Sequence, residues 1–277
     1  MINRATGRNY VLHVPTSYSR GRSWPLVVLL HPLGIDGASF EKITGFSALA
    51  DAKGFLAAYP DGTPNPVVGA LRLETSLAWN AGGGFAPECL SDDNAFINAV
   101  VDDVIAAYSI DVNHIYVVGM SNGGMLAYDV AARPSSRFRA MASVAGTMTV
   151  PSWTPPKRLP VLHIHGTSDP FVHLDGGGLF PFLSVAANLK RVSDRLGLTT
   201  KSKAVPLSPV KSGDPAVTRF DYPTPTGVSN ELVYYEVTGG GHTWPGAVMP
   251  STISAKLGAN TFNLDATRTI WDFFERL

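Results

Sequence analysis

One cysteine, Cys89, in 277 residues excludes an intrachain disulfide framework and any cysteine-rich metal centre. It leaves the compartment open, because secreted proteins also do without disulfides. No His-x-x-x-His spacing recommends a metal, so no metal is expected. An excess of one charge is missing too: Lys+Arg and Asp+Glu are each 22, and no block of like charges stands out. That balance gives no electrostatic reason to expect nucleic acid or a membrane surface as partner. No run approaches the ~20 apolar residues that span a bilayer, and no internal repeat is visible. The start, "MINRATGRNYVLHVP", has no apolar h-region, so no signal peptide is expected. A cytoplasmic protein, or a secreted one with its leader already removed, fits this start. Oligomeric state stays open.

With 45% hydrophobic and 16% charged residues, the chain can bury a large core beneath a sparsely charged surface. Apolar runs at 25–30, 54–60, 114–120, 138–146, 159–166 and 231–239 predict buried strands. Several are near-continuous, as in strands covered on both faces. Helix-like stretches fall at 39–53, 92–108, 122–133, 183–196 and 263–276, the last with Ile270, Phe273 and Phe274 on one face. This alternation predicts an α/β fold, a mostly parallel central sheet with helices on both faces. Residues 61–91 and 200–230 break the pattern, the second around a strand at 217–222, yet strands resume after each. One domain over 1–277 is therefore expected. Residues 172–189 are a candidate small lid, with Leu179, Phe180 and Phe182 either facing substrate or buried.

In such a sheet, ligands sit beyond the carboxyl ends of the strands. "VVGMSNGG" places Ser121 between a strand and a helix, flanked by Gly119 and Gly123, which lack Cβ atoms that would obstruct a tight turn. A serine hydroxyl needs a base and an orienting acid before it is a nucleophile. "LHIHGTSDPF" puts Asp169, and "EVTGGGHTWPG" puts His242, each just past a buried strand. The order Ser121, Asp169, His242 is that of an α/β-hydrolase triad. Oxyanion donors are expected from the backbone N–H groups of Asn122 and of Leu33, since Pro32 has none. The Asn122 side chain is assigned only to capping its helix.

Trp244 and Trp79 are candidate pocket walls, suited to a flat phenolic acyl group. Trp24, Trp153 and Trp271 are assigned to packing. His31 and His173 are further candidates to line the substrate site. His163 and His165 are expected to be packed and hydrogen-bonded, on opposite sides of their strand. The triple glycines at 82–84 and 176–178 are expected to be loops rather than phosphate cradles.

"YVLHVP", "LLHPLG", "AAYPDG", "AWN", "GMSNGGMLAYDVAA", "LHIHGTSDPFV", "GGGHTWPG" and "IWDFFERL" together resemble the esterase family of polyhydroxybutyrate depolymerases and bacterial feruloyl and acetylxylan esterases. The resemblance implies an α/β-hydrolase fold, the Ser121–Asp169–His242 triad and no cofactor. It departs from the family at His31-Pro32-Leu33, where the usual oxyanion loop reads His-Gly, and in lacking a second cysteine. No segment is set aside for the substrate-binding domain of enzymes that attack insoluble polyester. A serine esterase acting on small aryl or short-chain esters through an acyl-enzyme on Ser121 is expected. Alternatives are a hydrolase of polyhydroxyalkanoate-type polyesters or their oligomers, an acyltransferase on the same triad, and a non-catalytic binding module.

Overall fold

The central sheet is built by alternate residues that pack opposite ways. In β2 (Trp24–Leu30), Leu26, Val28 and Leu30 join one apolar cluster, and Val27 and Leu29 join the other. Period-two alternation therefore survives, but both faces are covered, so both sets are apolar. The computed structural model describes residues 1–3, 5–66, 75–82, 91–178, 180–198, 204–224, 231–248 and 251–277. Cys89, Leu179, Gly83 and Gly84 lie outside the described residues.

The other strands are β1 (Tyr10–His13), β3 (Leu56–Pro60), β4 (Thr63–Pro64), β5 (Leu77–Ala78), β6 (Ile110–Met120), β7 (Ala140–Val144), β8 (Val161–Gly166), β9 (Ala204–Pro206), β10 (Ala216–Tyr222) and β11 (Leu232–Thr238). Nine of them form one sheet in the order β1-β3-β2-β6-β7-β8-β11-β10-β9. From β3 to β11 every pairing is parallel, while β1, β10 and β9 attach antiparallel at the two edges. The small β4–β5 pair stands apart. All six predicted buried runs are strands of the main sheet.

On one face lie α3 (Asp93–Ala107), α4 (Asn122–Ala132) and α5 (Val185–Leu196); on the other lie α1 (Gly37–Thr44), α2 (Phe46–Lys53) and α7 (Ala266–Phe274). A short α6 spans Ser251–Leu257. The single helix expected over 39–53 is two, broken at Gly45 with φ 65°. That left-handed turn is open to glycine and ends α1 while starting α2. The last helix begins later than expected, at Ala266, because Asp265 accepts from the Arg268 N–H and caps it there. Trp271, beside the predicted stripe, is buried as well and stacks on Phe55 at 4.0 Å.

Residues 172–189 are not one separable lid. Val172, Val185, Asn188 and Leu189 are buried, so both ends belong to the core. Between them, the Gly176 N–H donates to His173 O and Gly177 bridges to Phe182.

Candidate active site

The turn after β6 is set by close backbone approach. A Cβ on Gly119 would sit 2.1 Å from Gly123 O, and one on Gly123 would sit 2.1 Å from Leu30 O. Neither glycine has a positive φ; Ser121 itself does, at φ 53°, ψ −122°. The glycines let α4 press against β6 and β2, and the serine takes the backbone strain. Ala145, at φ 54°, is the one other non-glycine residue in this region among those described. It follows β7, and a Cβ on its neighbour Gly146 would sit 2.5 Å from Ser121 O. The two strained residues thus lie beside each other at the ends of adjacent strands.

Asp169 follows β8 and His242 follows β11, so the three candidate residues share the carboxyl edge of four consecutive parallel strands, β6-β7-β8-β11. His242 Nδ1 lies 2.7 Å from Asp169 Oδ2. A carboxylate only accepts, so Nδ1 carries the proton and Nε2 is left to face solvent-side chemistry. The Phe171 and Val172 N–H groups donate to Asp169 Oδ1, each at 2.9 Å. Burial pushes the Asp169 carboxyl up, but His242, His165 and the Phe171 N–H outweigh it and hold the group below its usual range. His242 is pinned from its backbone, whose N–H donates to Leu257 O at 2.6 Å. A Cβ on Gly241 would meet Leu257 O at 2.1 Å, which is why glycine precedes the histidine. Ser121 Oγ makes no hydrogen bond to His242 among the described residues, a common state without substrate.

The expected oxyanion donors sit on loops that are bound to each other. Asn122 Oδ1 accepts from the Trp79 N–H at 2.7 Å, and its Nδ2 donates to Trp79 O at 3.1 Å. Its side chain therefore clamps Trp79 and does not cap α4, correcting the sequence expectation. The Trp79 indole N–H donates to His31 O at 2.8 Å. The Gly62 N–H donates to His31 Nε2 at 2.9 Å, so that nitrogen is unprotonated and Nδ1–H donates to Pro32 O at 2.8 Å. Burial pushes His31 down to about 4, fixing it neutral. Gly34's N–H is engaged with Leu77 O; no hydrogen bond takes up the N–H of Leu33 or of Asn122 among the described residues.

Four substrate-binding expectations need correction. Trp79 and His31 are fully buried and hold the loop after β2 from behind. Trp244 is 1% exposed, packs edge-on against Phe40 and Phe46, and donates its indole N–H to Thr267. An apolar ring two residues past His242 reaches the core beneath α1 and α2 instead of the site. His173 is exposed, with Nε2 3.3 Å from Pro170 O, and the structure does not bring it to His242. His163 and His165 are on one face of β8, ring on ring at 5.3 Å. Residues two apart in a strand must share a face, so the expectation of opposite sides was wrong. Trp24 and Trp153 pack in the core, as read.

Phe171 escaped the sequence reading. It is 49% exposed and its ring lies 5.3 Å from that of His242. Its signal was an apolar residue two positions past the candidate acid. A cavity of ≈180 Å³ lies between the loop after β7 and the start of α5, lined by Met148, Val150, Phe180, Phe182, Leu183 and Arg191 among others. A larger hollow of ≈720 Å³ lies beside the start of α3, lined by Asn80, Gly82, Ser91, Asn94 and Asp129 among others. Of its lining aspartates, Asp93 and Asp129 are paired with Arg8 and Arg133 and Asp92 caps α3.

Comparison with known proteins fits this geometry. Residues 8–178, more than half of the chain, match the model of the family described as Esterase PHB depolymerase. NocK of Nocardia uniformis subsp. tsuyamanensis, which bears an esterase name, is 29% identical over 96% of this chain and 78% of its own length. Feruloyl esterase C of Emericella nidulans is 27% identical over 64% of this chain and 60% of its own length; the chain thus spans less than two thirds of that relative. Among solved structures, acetyl xylan esterase from Aspergillus awamori superposes with TM-score 0.67 at 15% identity, covering 99% of this chain and 96% of that one. Esterase PE8 gives 0.61 at 16% identity, covering 97% and 98%. Those two likenesses show the fold alone, and it is that of α/β-hydrolases. The chain belongs to the esterase PHB depolymerase family, carboxylic ester hydrolases.

Proposed function

We propose that the protein hydrolyses small aryl or short-chain carboxylic esters through an acyl-enzyme on Ser121. The observation that carries the reading is the buried Asp169–His242 hydrogen bond at 2.7 Å, on the same strand edge as the strained Ser121. His242 Nε2 takes the proton as Ser121 Oγ attacks the ester carbonyl. The Leu33 and Asn122 N–H groups hold the developing oxyanion, and His242 then protonates the departing alcohol. Water repeats the sequence on the acyl-enzyme and releases the acid. Each oxyanion donor is worth about 10²–10³ in turnover in such sites, which gives the Asn122–Trp79–His31 clamp a functional consequence.

Support for a small acyl group comes from the ≈180 Å³ cavity with its Phe180 and Phe182 walls. The loop from Gly146, beside Ser121, leads to it. Exposed Phe171, over His242, adds an apolar surface for the ester. The test is kcat/KM on methyl ferulate and on p-nitrophenyl butyrate, with Ser121→Ala as blank. A ferulate value equal to or above the butyrate value supports an aryl acyl site. Butyrate turnover alone restricts the reading to short chains, and turnover of neither by the wild type overturns it.

A further inference from the structure

We propose that His165 is a positioning residue for this reaction, bracing from inside the core the Asp169–Val172 turn that presents Asp169 Oδ2 to His242. The inference rests on the triad reading above. His165 is buried, and its Nε2 lies 2.8 Å from Val172 O and 3.6 Å from Asp169 Oδ2. A carbonyl oxygen only accepts, so Nε2 carries the proton. The same turn is held at its other end by Asp169, whose Oδ1 accepts the N–H groups of Phe171 and Val172. Val172 is therefore gripped at both N–H and C=O. Asp169 Oδ2 is left for His242, and Phe171 for the face of the His242 ring.

The imidazole is itself held in place. Its ring stacks on His163 at 5.3 Å and 11°. His163 Nδ1 is 3.2 Å from Tyr128 OH, which accepts from Asn188 Nδ2 at 2.9 Å and so has its own hydrogen for His163. Asn188 Oδ1 in turn accepts from the Met148 N–H at 2.8 Å. A hydrogen-bonded file thus runs from the cavity wall at Met148 through Asn188 and Tyr128 to His163, whose ring stacks on that of His165. The titratable groups around His165 are His163 on its own strand, Asp169 and His242 beyond it, Tyr128 on α4, and Tyr234 and Glu236 on β11, the register partners of His163 and His165. Burial, joined by His242, pushes His165 below the ordinary histidine range, against the pull of Asp169 and Val172 O. A neutral donor steadies the turn without competing with His242 for the Asp169 charge. An arginine or lysine there would compete.

The experiment compares His165→Gln, His165→Leu and Asp169→Asn by kcat, KM and the pH profile of kcat/KM on p-nitrophenyl butyrate, with thermal melts for each. Gln delivers an amide N–H near the place of Nε2 and is expected to stay within about threefold of wild type. Leu cannot, and is expected to lose about 10²-fold in kcat, as a misplaced catalytic group does, with KM little changed. In the Asp169→Asn background His165→Leu should cost little more, since the two act as a unit. If the Leu variant does not fold, His165→Asn, polar but too short to reach Val172 O, takes its place with the same expectation. A folded Leu or Asn variant with wild-type kcat overturns the proposal, as does Gln losing as much as Leu. Should Asp169→Asn retain full activity, the triad reading itself fails, and that outcome is distinct.

Discussion

The two halves of the site are held by different means. On the nucleophile side, β2, β6 and α4 meet through backbone, where Gly119 and Gly123 leave no room for a Cβ, and the side chains of Asn122, Trp79 and His31 each bond to a main-chain atom behind that turn. On the acid–base side, Gly241 makes a like backbone approach to Leu257 O, but the turn that presents Asp169 is gripped by side chains, with His165 and Asp169 sharing Val172 and exposed Phe171 beside the histidine. Where an added Cβ would lie 2.1 Å from backbone no side chain fits, whereas a side-chain brace can be exchanged for another of equal reach. The first half should fail by losing the fold, and the second by losing rate.

Gly123→Ala sharpens that contrast most. Its Cβ would lie 2.1 Å from Leu30 O, 2.6 Å from His31 O and 2.6 Å from Leu30 C, all backbone. A loss of about 3 kcal/mol or more is expected, the upper end for overpacking. Gly21→Ala, with nothing within 4 Å, should stay within about 0.5 kcal/mol. Urea midpoints check both, and equal midpoints would erase the contrast.

Acidification comes next. His31 is pushed down by burial to about 4, and His163 and His165 lie below the usual range for the same first cause. An unfolded imidazole titrates near 6.5, so the unfolded chain takes up protons that the folded one refuses. The stability these residues lend is complete above that pH and lost as the pH falls below it. For His31 the loss is about 2 kcal/mol at pH 5, and the other two act in the same direction. Asp169, held low, lends stability that goes only at more acid pH, so it does not offset this window. A urea midpoint unchanged between pH 7 and 5 would show that the buried imidazoles take up protons as freely as unfolded ones.

Trp79→Phe gives the smallest of these effects. It removes the indole donor and leaves buried His31 O unpaired, for about 1–3 kcal/mol. Because the loop bearing Leu33 loosens, kcat should fall while KM holds. A rise in KM alone would mean that Trp79 acts on substrate binding.

The strand ends were legible because buried parallel strands read as continuous apolar runs, and Ser121, Asp169 and His242 each follow one. What stayed hidden was the direction of individual side chains. Trp244 sits in a loop, where no periodicity says whether a ring turns to the site or to Phe40. Asn122 has the composition of a cap, yet its partner Trp79 is 43 residues away in sequence, and no local rule finds such a bond. The strain at Ala145 is equally silent, since alanine is not a residue expected at positive φ. The shared face of His163 and His165 follows from the strand period of two alone.

The central claim is that Ser121 is the nucleophile, driven by His242. It is tested most directly by reacting the protein with a fluorophosphonate and mapping the adduct by mass spectrometry. One phosphonyl group on Ser121 is predicted, with no adduct in Ser121→Ala and much slower labelling in His242→Ala. Labelling of another residue, or ester hydrolysis by Ser121→Ala at the wild-type rate, would contradict the account.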